Sequence, residues 1–439
     1  MFYPLIKTLA SFGLILGSAF SGGLLARRVR LPKITGFLVT GLIAGPSVLG
    51  FLSHQDLQSL QALDHYALCF IAILAGSELG LDTIKSRLKS ILGVMFGLIL
   101  VTSLIGMSAV ILLGDWLPFL KGEVSSVHWA AASLAGVIMT ARSPSAAIAV
   151  IGETKSQGPF TQLILGVTVL MDAVVIALFA VALSAAHSLV DQRPLSLHLL
   201  QEVGIELILS ISIGIIIGLG VVGTLRLNRS RLWRGMILTS CPILILWLVE
   251  RLHTLQVNGL PLSVEPLLSC VVMGITFNFA RQSVLTDIKD QLEVTSPAVY
   301  VMFFTLTGAS LALDQIWLIW PAAALIFCVR LIGIGAGSTL GGMISGEPQN
   351  QHKIRWMGFV TQAGVGLGLA QRVAHDFPAW GVGFATMMTA VIVLNECVGP
   401  IFFKRALIHS GEGSALSGTP QDEIQTLTET HSALTEESV

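Results

Sequence analysis

Charge is what this chain has least of. Only 12% of its 439 residues are Asp, Glu, Lys or Arg, about half the share found in an ordinary soluble domain. So few charges cannot make a water-facing skin for a chain this long, which excludes a single soluble globule. Cysteine is scarce too: Cys69, Cys241, Cys270, Cys328 and Cys397 lie apart in apolar runs, with no CxxC spacing. That argues against a disulfide framework and a zinc site, and leaves five small buried hydrophobes. The net charge of −1 offers nothing to a nucleic acid or to an acidic partner. The first apolar run continues into Arg27 and Arg28 without a small-residue cleavage site, so no cleavable signal is expected.

What is abundant is apolar sequence, at 53% of residues with a mean hydropathy of +0.80. A helix needs roughly 17–25 such residues to cross a hydrocarbon core of about 30 Å. Runs of that kind fall near 4–26, 33–50, 62–81, 90–113, 128–151, 162–186, 200–224, 233–252, 262–280, 297–313, 316–341, 354–374 and 381–403. They are continuous instead of alternating, which excludes a membrane β-barrel. The expected fold is an all-α polytopic membrane protein of about thirteen transmembrane helices in a lipid bilayer.

Lys and Arg set the expected orientation. With the N-terminus outside, eighteen of the 25 basic residues fall in cytoplasmic loops and five outside, while Arg142 and Arg330 lie within spans. An odd number of helices, N-out and C-in, in a plasma or inner membrane follows. Residues 1–407 form the expected membrane domain. The remainder, 408–439, is Ser/Thr/Gly-rich with six acids and no Lys or Arg, and is expected to be a disordered cytoplasmic tail.

An internal repeat is legible. FIAILAGSELGLD at 70–82 aligns with MFFTLTGASLALD at 302–314, pairing Gly76 with Gly308 and Asp82 with Asp314. On this topology the two aspartates end their helices on opposite sides, the mark of an inverted repeat. The repeats would span about 4–186 and 233–407, with 200–224 as linker helix. The fifth and twelfth helices, which correspond, are both irregular. The fifth contains Thr140-Ala-Arg142-Ser143-Pro144-Ser, and the twelfth Thr361-Gln362-Ala-Gly364-Val-Gly366-Leu-Gly368. Pro144 removes a backbone donor in mid-span, and the glycines weaken helix where they stand. Both helices are expected to break there, and paired breaks mark a transporter's central site. The GxGxG is no dinucleotide fingerprint, since no strand precedes it; neither a cofactor nor an enzymatic activity is expected. Gly13/Gly17 and Gly214/Gly218 are GxxxG pairs, read as helix-packing contacts.

Asp172 sits mid-span with no other charge for some ten residues either way. A carboxylate there costs about 2.5–3.5 kcal/mol on insertion scales, so it is rarely idle. A proton and a small cation can compete for it, which is the chemistry of exchange; the bland alternative is an ion pair with Arg330 or Arg142. Arg330 is expected to balance a buried carboxylate, and Arg142, inside the break, to line the pathway. Glu78 is either an entry carboxylate or a snorkelling residue. Glu396, beside Asn395, is expected to partner an arginine.

These residues resemble the monovalent cation:proton antiporter superfamily, in particular its second branch of sodium/proton exchangers and glutathione-gated potassium efflux proteins. The resemblance covers nearly all of 1–407. It lies in GFLVTGLIAGP at 36–46, Gly76-Ser-Glu-Leu79, the fifth and sixth helices, FFTLTG at 303–308 and NECVGP at 395–400. It implies a core domain with two crossed broken helices, a dimerisation domain, a homodimer and an elevator-like movement. By position it implies that Asp172 is the ion-binding aspartate, Glu78 the helix-three glutamate and Arg330 the basic residue of helix eleven; Ser143 and Glu78 are further candidates to hold the cation. Two departures stand out. Met171 occupies a position usually Asp, Asn or Gln, and Arg142-Ser143 stands where exchangers often carry Thr-Asp. Both remove oxygen ligands, and the second adds positive charge. The expected function is exchange of Na⁺ or K⁺ for protons, electroneutral because Met171 cannot titrate. A potassium efflux channel-like protein, or an anion carrier built on Arg142, are the alternatives.

Overall fold

The computed structural model describes residues 2–191, 197–227, 230–253, 256–257, 260–261, 264–311, 313–362 and 364–413. With no water in the hydrocarbon to satisfy peptide groups, a continuous apolar run closes its bonds internally as helix. The helices are α1 (Phe2–Arg28), α2 (Lys33–Ala44), α3 (His54–Glu78), α4 (Leu81–Leu113), α5 (Ser125–Ile138), α6 (Pro144–Thr154), α7 (Pro159–Asp191) and α8 (Leu197–Leu227). There follow α9 (Arg231–His253), α10 (Pro266–Thr276), α11 (Gln282–Ala309), α12 (Leu313–Ser345), α13 (His352–Arg355), α14 (Gly364–Asp376) and α15 (Gly381–His409). Eight helices among the described residues are long and apolar enough to cross a membrane. Each expected apolar run is found as a helix, except that the fifth and twelfth are divided into α5/α6 and α13/α14. A two-residue antiparallel hairpin pairing Gln256 with Pro261 joins α9 to α10. Helix α3 starts well before its apolar run, because Ser53 and Asp56 close a capping box and nucleate its polar first turns.

The helices form two bundles. One holds α1, α2, α3, α9, α10 and α11; the other holds α4 to α7 and α12 to α15; α8 touches α10 and α7 and so joins them. Helices in lipid gain little from apolar contact alone, so close backbone approach at small residues holds them. Helix α4 meets α12 through Gly93 and Gly97 against Gly337 and Gly341, where a Cβ on Gly337 would stand 2.7 Å from the Gly97 carbonyl oxygen. In the other bundle Gly76 and Gly274 bring α3 against α10, and Gly308 and Gly41 bring α11 against α2. Of the two GxxxG pairs, Gly214/Gly218 packs on α10 as expected. Among the described residues nothing comes within 4 Å of a Cβ built on Gly13 or Gly17, so that pair makes no packing contact within the chain. Leu112, 84% exposed, and Ile216, 69% exposed, mark the lipid-facing perimeter. Cys69, Cys241 and Cys270 are buried, but Cys328 is exposed and Cys397 half-buried, and all five are free.

The tail boundary also moves. Helix α15 runs to His409, and Glu412 docks on the start of α7, so residues 408–413 belong to the fold. Residues 414–439, and the side chains of the repeat pair Asp82 and Asp314, lie outside what is described.

Candidate functional site

The first break is built by Pro144. Having no N–H, it fits the first position of a helix and not the interior, so α5 stops at Ile138 and α6 starts at Pro144. Between them Thr140 donates to the Val137 carbonyl at 2.7 Å. Ser143 caps α6, accepting from the Ala146 N–H at 3.3 Å and meeting the Ser145 hydroxyl at 3.1 Å. The second break falls at Val360–Gln362, after a 3₁₀ turn at Trp356–Phe359. This corrects the expected place of the break: Gly364, Gly366 and Gly368 form the opening turns of α14. A Cβ on Gly366 would stand 3.1 Å from Gln362 Nε2, so glycine there leaves room for that side chain.

The last carbonyls of a helix have no intrahelical donor, and here they are buried. Arg330, on α12 and 0% exposed, answers them. Its Nε donates to the Met139 carbonyl and Nη2 to that of Ala141, both at 2.9 Å. Its Nη1 donates to the Val360 carbonyl at 2.8 Å and to Asn395 Oδ1 at 2.6 Å. Gln362 Nε2 donates to the Ile138 carbonyl at 2.8 Å, and Asn395 Nδ2 donates to Gln362 Oε1 at 3.2 Å. One guanidinium therefore ties both breaks together. The expected carboxylate partner is absent: Arg330 is matched by dipoles, and its site is the negative end of α5.

Arg142, 1% exposed, reaches the same two carbonyls through Nη1 alone, Met139 at 3.2 Å and Ala141 at 3.1 Å. Its Nε and Nη2 meet no protein group. Asp172, half-buried on α7, pairs with neither arginine, and its buried Oδ1 meets no protein group either. The bland ion-pair reading is thus excluded. Met171 turns the other way, fully buried in the apolar core. Across the α7–α10 contact lies Glu265, the N-cap of α10, within electrostatic reach of Asp172. Glu265 was not singled out from sequence, although an acid directly before a proline at the head of an apolar run is a legible N-cap signal.

Glu78 is not brought into this group. It ends α3, exposed, 3.4 Å from Lys289. Glu396 is 2% exposed and neither of its oxygens has a protein partner, which corrects the arginine pairing expected for it. Arg330 is taken by Asn395, one residue earlier and about 100° round the helix. No three His, Cys, Asp or Glu side chains gather into a metal site among the described residues.

The face rich in Lys and Arg carries a second network. Glu153, at the end of α6, meets Lys404 of α15 at 2.7 Å and accepts from the Lys33 N–H of α2 at 2.6 Å. Lys404 also donates to the Leu31 carbonyl at 3.3 Å, so this network spans both bundles. Glu412 closes the start of α7, accepting from the Phe160 N–H at 2.8 Å, and from the Thr161 N–H and hydroxyl at 2.7 and 2.8 Å.

Residues 15–410 match the family described as sodium/hydrogen exchanger, transmembrane. The chain is 25% identical over 410 residues to the Na(+)/H(+)-K(+) antiporter GerN of Bacillus cereus, covering 89% of this chain and 94% of that one. It is 22% identical over 341 residues to the probable Na(+)/H(+) antiporter GerT of the same organism, covering 72% and 78%. The sodium proton antiporter MjNhaP1 from Methanocaldococcus jannaschii shares the fold. Its pH 8 structure gives a TM-score of 0.67 at 17% identity, covering 92% of this chain and 97% of that one. A second structure of it gives 0.71 at 16%, covering 92% and 99%.

Proposed function

Since the chain belongs to the sodium/hydrogen exchanger family, a family of multi-pass membrane antiporters, we propose that it exchanges Na⁺ or K⁺ for protons at Asp172. The observation that carries this reading is the unpartnered Asp172 carboxyl in a membrane-spanning helix, while the two buried arginines bond to backbone carbonyls instead of to it. A carboxylate locked in a buried ion pair cannot release its charge to a passing ion. Asp172 is not locked, and it can hold a proton or a cation in turn. Met171 points into the core, so one carboxyl serves both ions and the exchange is electroneutral.

Alternating access is a movement of the α4–α7/α12–α15 bundle against the other, with the Glu153–Lys404 network as the contact that parts. The reciprocal glycines, Gly76 with Gly274 and Gly308 with Gly41, support inverted repeats, because each pair joins one repeat to the other and Gly76 and Gly308 are equivalent in the repeat alignment. We place the basic face in the cytoplasm. A homodimer is in keeping with the open Gly13/Gly17 face of α1.

The test is proton flux in everted vesicles with a pH-sensitive dye, challenged in turn with Na⁺, K⁺, Li⁺ and organic anions. Dequenching by a monovalent cation, abolished in Asp172→Asn, is the expected result. Flux driven by anions alone would sink the reading.

A further inference from the structure

Arg142 is the buried charge that exchange at Asp172 leaves unused. Arg330 takes the Met139 and Ala141 carbonyls at 2.9 Å, and Arg142 comes second to them, at 3.2 and 3.1 Å, through one nitrogen. Nε and Nη2 remain, buried and unanswered. A guanidinium stays charged in any protein setting, and an unmet charged donor is costlier than an unmet neutral one. The amino end of α6 begins at the next residue but one and carries a partial positive charge of its own. Pro144 has no N–H and Ser143 accepts from those of Ala146 and Ala147, which leaves the Ser145 N–H. No carboxylate among the described residues offsets this. Asp172 Oδ1 and both oxygens of Glu396 are without protein partners, so neither acid bonds to Arg142.

We propose that Arg142 and the amino end of α6 hold a small monovalent anion, chloride or a short carboxylate, as a resident counter-ion at the first break. The shared chemistry is one negative charge that accepts two N–H bonds from Nε and Nη2, with the helix end behind it. The surroundings set the size. Thr140, Ala141, Arg142, Ser143 and Ser145 are all buried, so the site would take an ion of chloride or formate dimensions and refuse one as large as gluconate. The anion restores the counter-charge that Arg142 lacks, and leaves Asp172 free for cation and proton.

The experiment is equilibrium binding of radioactive chloride to the purified full-length protein in nanodiscs, with bromide, formate and gluconate as competitors. Saturable binding displaced by bromide and formate but not by gluconate is expected. Arg142→Gln should weaken it at least about tenfold, since both free donors go. Arg142→Lys, which returns the charge on a single nitrogen, should also weaken it and serves if the glutamine variant does not fold. Asp172→Asn should bind chloride like the parent while losing exchange, so failure of the anion site and failure of the exchange reading are told apart. Absence of saturable chloride binding in the parent protein, or binding unchanged by either Arg142 substitution, overturns the proposal.

Discussion

Charge is handled in two ways in this molecule. At the basic face Glu153 meets Lys404 at 2.7 Å, Arg87 meets Glu347 at 3.5 Å and Arg234 meets Asp287. At the two breaks Arg330 and Arg142 bond to carbonyls, and on the neighbouring helices Asp172 and Glu396 have no partner among the described residues. Each of these pairs joins parts of one bundle at an aqueous end. The bonds that cross there between the bundles are those of Glu153 to the Lys33 N–H and of Lys404 to the Leu31 carbonyl, contacts modest enough to be made and parted. In the hydrocarbon the same pair would be bound so tightly that neither member could trade its charge. Separating acids from arginines at the centre keeps the carboxyl available, and the carbonyl ends of broken helices hold the arginines instead.

The hardest blow to this contrast comes from Asp172→Asn. Ion-dependent proton flux should fall to background while the protein stays folded and monodisperse; parental flux would mean that another group carries the exchange. Next is Arg330→Ala, which leaves Met139, Ala141, Val360 and Asn395 oxygens without their donor. Unfolding in detergent should be easier by at least about 3 kcal/mol, with partial recovery in Arg330→Lys, where charge returns without the planar fork. A stable, fully active alanine variant would break the cross-brace. At the rim, Lys404→Met leaves the largely buried Glu153 carboxylate without its cation and should cost about 2 kcal/mol and change the turnover rate severalfold without changing which ion is carried. An altered ion preference would show that the rim belongs to the binding site.

The smallest effects are at the edges. Asp376, beyond the span at the far end of α14, would be pushed up by burial. Hydrogen bonds from His375 and Arg372, with His187 of α7 nearby, hold it below the usual carboxylate range. An acid depressed on folding stabilises above its unfolded value, about 3.9, and loses that contribution as pH falls through the lower folded value. Melting followed from pH 6 to 3 should drop more steeply in the parent than in Asp376→Asn; identical slopes would remove the clasp from the account. Glu78→Gln should leave flux and stability almost unchanged, within about 0.5 kcal/mol, as for an exposed ion pair.

Much of this architecture is legible from sequence. Continuous apolar runs can close their hydrogen bonds only as helices, and Pro144 can begin a helix far more readily than continue one. The second break was misplaced by a few residues. Glycine weakens a helix only in proportion to where it falls, and here the three glycines sit in the opening turns of α14. Arg330 was expected to face an acid because carbonyl ends are invisible until the breaks are located. Glu396 and Asn395 are neighbours in sequence but point to different sides of α15, a distinction that depends on helix phase. Glu412 went unnoticed because it caps a helix far away in sequence, and Glu265 because its acid-before-proline signal marks a helix start without announcing Asp172 as a neighbour.

Glu412 also bears on how the protein is made. It closes the start of α7, whose Phe160 lies 252 positions earlier in the chain. When α7 enters the bilayer its amino end still has bare N–H groups, and they stay bare until α15 has been threaded and the ribosome has passed residue 412. The helix that carries Asp172 is thus among the last to be finished, so a nascent antiporter lacking its final segments would hold an unsealed helix end at the basic face.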